Sequence, residues 1–202
     1  MGSASAIATP SGISINKIKS LELFENQQHT RPNTNSDQEI TANLEWNTIN
    51  LRNVSFAYNG TQGFSLQPFN LDIEKGEFIC LLGASGCGKS TLLRIIAGFE
   101  NATSGEAALY GRTINEPGPD RGIVFQDYAL FPWLSVYENI AFGPRHRGLS
   151  SEEVRHTTEK FLKMVGLTGF SKHYPSQLSG GMKQRVAIAR VLANDTDLLL
   201  MD

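Results

Sequence analysis

Residues 83–90 of the sequence read GASGCGKS. It matches the pattern G-x-x-x-x-G-K-[ST] at every fixed position. Its glycines let the backbone wrap a phosphate group, and its amide groups, together with the dipole of a following helix, favour an anion. Lys89 can reach the β- and γ-phosphate oxygens of a nucleotide, and the Ser90 hydroxyl can ligate Mg²⁺. The stretch therefore predicts a nucleotide-binding loop between a strand and a helix.

The sequence on either side of this loop predicts a strand before it and a helix after it. Residues 77–83 are a short apolar run that predicts a buried strand, and residues 90–97 predict a helix that ends near Gly98. Cys87 is interpreted as a small filler, reactive toward thiol reagents in the absence of nucleotide. The predicted nucleotide-binding residues of this loop are Gly83, Ala84, Ser85, Gly86, Cys87, Gly88, Lys89, Ser90 and Thr91.

A second glycine-rich stretch, LSGGMKQ, occupies residues 178–184. Ser179, Gly180 and Gly181 open a helix predicted over residues 181–193, so backbone amides and a helix dipole again favour an anion. One nucleotide does not need two such loops from one chain. We therefore expect the second stretch to serve a nucleotide held by another subunit. The alternative is an ordinary serine-capped helix start.

The remaining patterns indicate an α/β fold with a parallel sheet. Strand–loop–helix units recur along the chain, and such units favour parallel strands. The pair of strands around the Asn59-Gly60 turn is an exception, since this turn indicates an antiparallel pair. The predicted strands are residues 49–58, 64–73, 106–110, 122–126 and 198–201. Besides the helix at residues 90–97, two helices are predicted, one beginning at Ser150 with Glu153 completing a capping box, the other over residues 181–193 with Val186, Ala189 and Leu192 inward.

The composition is that of a globular protein with a polar N-terminal tail. Hydrophobic residues make up 40% and charged residues 19% of the 202 residues, and the net charge is −2. No apolar run reaches the ~18 residues of a transmembrane helix, and the slightly acidic charge argues against nucleic acid as a partner. Residues 1–46 predict a mostly disordered tail. The alternative is a docking helix with an apolar face of Ile15, Ile18, Leu21 and Leu23.

The sequence LSGGMKQR at residues 178–185 resembles the signature of the ATP-binding cassette (ABC) ATPases. By the same resemblance Tyr58 matches the aromatic residue that stacks on adenine, although a core or edge-strand aromatic is an alternative. Gln126 matches the Q-loop glutamine that touches Mg²⁺ and the attacking water; a solvated strand-end residue is the alternative. Residues 198–202, LLLMD, match the Walker B strand, whose terminal aspartate, here Asp202, binds Mg²⁺.

The resemblance implies a P-loop NTPase fold of ABC-ATPase type over residues 47–202. Such a fold has a parallel core sheet, an antiparallel β subdomain and a helical subdomain, here at about residues 127–180. The implied cofactors are ATP and Mg²⁺. The implied catalytic residues are Lys89, Gln126 and Asp202, and the implied metal ligands are Ser90, Gln126 and Asp202.

Residues 117–126 and 130–140 are similar to bacterial importers of the nitrate, taurine, alkanesulfonate and bicarbonate group. The resemblance implies a second ATPase subunit (identical or a paralogue), an integral membrane permease and, indirectly, a solute-binding protein. It also implies a cytoplasmic position on the inner face of the membrane. The residues expected to contact the permease are Leu130, Phe131, Pro132 and Trp133. The alternative is that these four pack inside the helical subdomain.

The family continues past the Walker B aspartate with a glutamate that acts as general base, a D-loop and a histidine switch. This sequence ends at Asp202. The sequence therefore predicts an incomplete, frameshifted or split cassette. The leading function is an importer ATPase subunit. The alternatives are a nucleotide-binding partner without hydrolysis and a soluble cassette ATPase of DNA repair or translation.

Overall fold

The computed structural model describes residues 4–8, 12–19, 48–57 and 66–202. Its first four strands are β1 (Ala4–Ala8), β2 (Ser14–Lys19), β3 (Thr48–Phe56) and β4 (Leu66–Glu74). The other strands are β5 (Glu77–Leu82), β6 (Ser104–Leu109), β7 (Arg112–Thr113), β8 (Arg121–Val124) and β9 (Leu198–Met201). The α-helices are α1 (Lys89–Ala97), α2 (Val136–His146), α3 (Ser151–Met164) and α4 (Gly180–Ala193). Among these described residues, none of the helices combines the length and apolar character that crossing a bilayer requires.

The chain divides into two compact units. The first comprises Met1–Ile96 and Glu100–Asn115, and the second comprises Ala97–Phe99 and Glu116–Asp202. The predicted phosphate loop lies in the first unit, and the predicted signature lies in the second.

An antiparallel sheet of β4, β3, β6 and β7 forms one layer of the first unit. Strands β3 and β4 pair in antiparallel register, with Leu51 opposite Leu71, which confirms the predicted antiparallel pair. Both leucines are buried, as is Val54. Burial of these apolar side chains on one face fixes the register, since a shift by one residue would move them to the opposite face. The predicted Asn59-Gly60 turn lies outside the described residues.

A second sheet corrects the prediction for part of the N-terminal tail. Strands β1 and β2 lie within the segment predicted to be disordered, and β2 pairs antiparallel with β5. Ile13 and Ile15 are fully buried there, and Lys17 forms an ion pair with Glu77 at 3.1 Å. Ile15 and Ile18 of the alternative docking helix therefore lie on a strand, and Leu21 and Leu23 lie outside the described residues. Composition averaged over the tail hides this short segment of alternating residues.

Strand β5 also differs from the sequence prediction. It forms as predicted, but it is not buried: Phe78 is 57% and Leu82 is 48% exposed. Among the described strands β5 pairs with β2 along one edge and in antiparallel register. An apolar run bounded by a glycine-rich loop predicts a strand, whereas burial depends on what pairs with the strand and covers it.

The second unit joins a parallel strand pair to a helical bundle. Strands β8 and β9 pair in parallel, with Arg121 opposite Leu198 and Val124 opposite Met201. Helix α3 begins with the predicted capping box of Ser150 and Glu153. The three residues of α4 that were predicted to face inward do so: Val186 and Ala189 are fully buried, and Leu192 is half-buried. The core of the bundle consists of Val136, Ile140, Leu162, Leu167, Leu178, Val186, Ala189 and Ala193.

Candidate nucleotide-binding site

The predicted phosphate loop connects the end of β5 to the start of α1. Its turn depends on two glycines in the left-handed region, Gly86 with φ +82° and Gly88 with φ +99°. A side chain at either position would strain the backbone. The amide of Leu92 donates to the carbonyl of Gly88 at 2.9 Å, so helical hydrogen bonding starts at the last glycine of the loop. The amides of the residues before Leu92 belong to the first turn, which lacks partners within a helix.

Lys89 closes over this loop. Its Nζ donates to the carbonyl oxygens of Gly83 and Ala84, each at 2.8 Å, and lies 3.5 Å from Sγ of Cys87. An ammonium group is a mobile point charge with three donors, so phosphate oxygens can replace these neutral acceptors and form shorter, charge-assisted bonds. The loop itself is exposed at residues 83–86. The structure therefore holds a cation at the mouth of an exposed loop.

The first turn of α1 places two predicted residues differently. Ser90 is exposed. The side chain of Thr91 is buried, because the residue is 8% exposed. Thr91 is therefore able to contribute its backbone amide at the helix N-terminus more readily than its hydroxyl.

The second glycine-rich stretch forms the start of α4. Ser179 is the N-cap, and its Oγ accepts a hydrogen bond from the amide of Met182 at 3.4 Å. A Cβ placed on Gly181 meets no atom of the described residues within 4 Å, and one placed on Gly180 meets the Tyr128 hydroxyl oxygen at 3.5 Å. The chain's own packing therefore leaves room for a side chain at both positions. The glycines instead leave the backbone of this helix start bare.

Gln126 and Asp202 follow neighbouring parallel strands. Gln126 lies two residues beyond β8, and Asp202 directly follows β9 with its amide donating to the carbonyl of Val124 at 3.0 Å. The carboxyl ends of parallel strands meet at one edge of a sheet, so both exposed side chains belong to the same edge. Amide and carboxylate oxygens suit Mg²⁺, which takes one or two protein ligands beside phosphate oxygens and water. The donor set fits the predicted metal.

The four residues predicted to contact a permease divide between the interior and the surface. Leu130 is half-buried and packs on the helical core, and Phe131 contacts the ring of Phe142 at 4.5 Å between centroids. Pro132 is exposed, and Trp133 is 70% exposed. An open groove of about 300 Å³ lies beside Phe131 and Phe142. The packing alternative therefore holds for Leu130 and Phe131, whereas the contact of Pro132 and Trp133 with a permease stays a prediction.

Two residues that organise this stretch were not identified from the sequence. Asn139 is fully buried; its Oδ1 accepts from the amide of Phe131 at 3.0 Å, and its Nδ2 donates to the carbonyls of Phe131, Leu134 and Ser135. Arg190 of α4 donates to the carbonyl of Ala129 at 2.7 Å. The S-x-x-E pattern that starts α2 at Ser135 is the signal that could have located Asn139 on a helix. No comparable local pattern marks Arg190. The predicted adenine-stacking residue Tyr58 lies outside the described residues.

Comparison with known proteins shows which family this chain resembles. A family described as ABC transporter matches residues 66–202. The chain is 54% identical over 138 residues to the nitrate import ATP-binding protein NrtD of Synechocystis sp., covering 68% of this chain and 52% of NrtD. It is 44% identical over 186 residues to the bicarbonate transport ATP-binding protein CmpD of the same organism, covering 90% of this chain and 64% of CmpD. The chain thus spans between about half and two thirds of the curated relatives that it matches.

A solved structure gives the same result for the fold. A dimeric post-hydrolysis state of the ATP-binding cassette MJ0796, bound to ADP and Pi, is 36% identical to this chain with a TM-score of 0.68. The match covers 76% of this chain and 73% of that one. The predicted family and the predicted α/β cassette fold are both confirmed, and the chain belongs to the ABC transporter family of ATP-binding proteins.

Proposed function

We propose that this chain is the ATP-binding subunit of an importer for a small anion, and that two subunits bind ATP at sites they share. Each ATP contacts the phosphate loop of one subunit and the Ser179, Gly180 and Gly181 start of α4 from the other. The observation that carries this proposal is the bare start of α4, where the chain's own packing leaves both glycines room for a side chain. A ligand from outside the chain explains why small residues stand there. The solved dimer of the MJ0796 cassette supports a two-subunit arrangement.

The proposed activity is hydrolysis of ATP with Mg²⁺, coupled to uptake. Lys89 would bind the terminal phosphates, and Ser90, Gln126 and Asp202 would hold the metal ion. Gln126 also orients the water that attacks the γ-phosphate in line. When bound, Mg²⁺ neutralises the charge that develops on the phosphate oxygens. Binding of ATP closes the two subunits, and hydrolysis reopens them.

The permease contact belongs to the surface around Pro132 and Trp133. Exposed aromatic and apolar side chains are enriched at protein interfaces, and the adjoining groove beside Phe131 and Phe142 is open. Docking there places the chain on the cytoplasmic face of the membrane. The nitrate and bicarbonate proteins among its relatives support a small inorganic or organic anion as the solute.

The test of the shared site uses two variants that each damage a different half of it. Lys89→Ala removes the cation of the phosphate loop, and Ser179→Arg places a bulky side chain at the bare start of α4. Each variant alone is expected to form no dimer with MgATP by light scattering. An equimolar mixture is expected to recover part of the ATP-dependent dimer, because a mixed pair retains one intact site. Calorimetry should show that Ser179→Arg alone binds ATP like the wild type.

Three results would contradict the proposal in whole or in part. Dimers of normal stability formed by Ser179→Arg alone would mean that α4 does not contribute to the site. A mixture no better than either variant alone would mean that the two halves do not combine across subunits. Normal ATP affinity with dimerisation but no phosphate release would favour a nucleotide-binding partner over an ATPase.

A further inference from the structure

Arg190 lies on α4, outside every motif that the sequence analysis identified, yet it contacts the segment that follows Gln126 at three places. Its guanidinium donates to the carbonyl of Ala129 at 2.7 Å and to the carbonyl of Tyr128 at 3.3 Å. The guanidinium carbon lies 5.3 Å from the ring centroid of Phe131, in cation–π geometry. A planar guanidinium is suited to this combination of two hydrogen bonds and one ring contact, whereas an ammonium group is not.

The backbone that Arg190 binds is unfavourable by itself. Tyr128 has φ +66° and Ala129 has φ +41°, a region that residues with a side chain rarely adopt. Strained backbone persists where its surroundings hold it, and such strain is concentrated at functional segments. Arg190 supplies hydrogen-bond donors to both strained residues. The desolvation of its charge, which lowers the pKa of Arg190, is offset by these carbonyls.

The same segment reaches the other end of α4. The Tyr128 hydroxyl oxygen lies 3.5 Å from the position of a Cβ on Gly180, in the first turn of that helix. Tyr128 therefore lies beside the start of α4, and residues 128–129 are bound near its end by Arg190. The segment lies between Gln126 on one side and Phe131 on the other. The ring centroids of Phe131 and Trp133 are 5.7 Å apart.

We propose that Arg190 is a positioning residue that joins the segment after Gln126 to α4, so that Gln126, the surface at Trp133 and the start of α4 move together. The inference rests on the proposed function, because it requires that ATP act on Gln126. When ATP binds, displacement at Gln126 is passed to Trp133 through backbone that Arg190 keeps in one conformation. Without Arg190, the strained segment relaxes and the movement is not transmitted.

The test uses the full chain with Trp46→Phe, which leaves Trp133 as the single tryptophan of the sequence. Emission of Trp133 is followed while MgATP is added, and ATP affinity is measured in parallel by calorimetry. Arg190→Met should bind ATP with unchanged affinity, since the phosphate loop is intact, but should lose the ATP-dependent emission shift. Arg190→Lys should retain part of the shift, since it keeps a donor but not the planar contact. If Arg190→Met fails to fold, the emission shift of Arg190→Lys provides the test.

Arg155→Met is the matched control. Arg155 forms exposed ion pairs with Glu152 and Glu159 along α3, so this variant loses the same kind of charge without touching residues 128–131. It should keep the full emission shift. A full shift in Arg190→Met, or no shift in a parent chain that binds ATP, overturns the inference and leaves the proposed function standing. A parent chain that does not bind ATP overturns both.

Discussion

The two helices that start in glycine-rich stretches differ from the two that start in capping boxes. At α3, Glu153 Oε2 accepts from the amide of Ser150 at 2.8 Å, and Ser150 Oγ accepts from the amide of Glu153 at 3.3 Å. Helix α2 has the same arrangement. The first turn of α4 reads Gly-Gly-Met-Lys and that of α1 reads Lys-Ser-Thr-Leu. Two helices therefore carry a carboxylate at the positive end of the dipole, and two carry a cation there.

This difference shows at which helix starts the chain itself supplies both the hydrogen bonds and the negative charge. A serine with a glutamate three residues later satisfies two otherwise unpaired amides and places negative charge where the helix dipole favours it. A glycine-rich start with a lysine in the first turn gives up the carboxylate and its hydrogen bond, although Ser179 of α4 still accepts from the amide of Met182. The charge and hydrogen bonds at α1 and α4 are suited to completion by an anion, which the proposed function supplies as ATP.

The largest expected effect is at the phosphate loop. Lys89→Ala should lower ATP affinity by about 100-fold or more, because two charge-assisted bonds to phosphate are lost. Calorimetric titration of MgATP measures this directly. Lys75→Ala is the matched control, since Lys75 is exposed in the turn between β4 and β5 of the same unit, and it should leave affinity unchanged. Unchanged ATP affinity in Lys89→Ala would mean that the start of α1 does not bind the phosphates of ATP.

An intermediate effect is expected at α4. An acidic residue in its first turn should supply the negative charge that we expect the ligand to supply. Gly181→Asp should raise the free energy of unfolding by about 0.5–1 kcal/mol, because it replaces a helical glycine and compensates the dipole. It should also abolish the MgATP-dependent dimer in light scattering, since the carboxylate repels phosphate. Gly181→Ala, the uncharged control, should gain stability and retain more of the dimer. Equal dimerisation by both variants would show that charge at α4 is unimportant.

The smallest effect is expected at α3. Hydrogen bonds from the Ser150 hydroxyl and backbone lower the pKa of Glu153. The stabilisation is therefore present above the pKa of the glutamate in the unfolded chain and is lost as the pH falls through the lowered pKa of the folded state. Thermal unfolding from neutral to acidic pH should show a slightly smaller loss for Glu153→Gln than for the wild type. Identical slopes would mean that the capping box contributes nothing through charge.

The sequence predicted what local patterns determine. Gly86, Gly88 and Lys89 form a loop because backbone conformation and motif spacing specify it, and the box at Ser150 depends on residues three apart. Arg190 could not be found this way, since its partners at Tyr128 and Ala129 are distant in sequence and are bound through their backbone carbonyls, which any residue type offers.

The same limit explains the two errors in the first unit. Whether β5 is buried depends on its neighbours, and its pairing with β2 involves a segment whose surroundings are polar. Ile15 lies on β2 and Ile13 directly precedes it, but two isoleucines in a tail of mostly polar residues are a weak signal without knowledge of the partner strand. Pairing across long sequence separations is what propensity and periodicity omit.

The parallel pairing of β8 and β9 has a consequence for the order of folding. It brings Val124 beside Met201 across the whole of α2, α3 and α4, so the entropy of closing that loop must be overcome before the pair can form. Helices rich in local contacts form faster than non-local strand pairs. We therefore expect the bundle to acquire hydrogen-exchange protection during refolding before β9 does, and pulsed exchange would contradict this if β9 were protected first. On this view the edge that carries Gln126 and Asp202 is assembled late, on a bundle that is already folded.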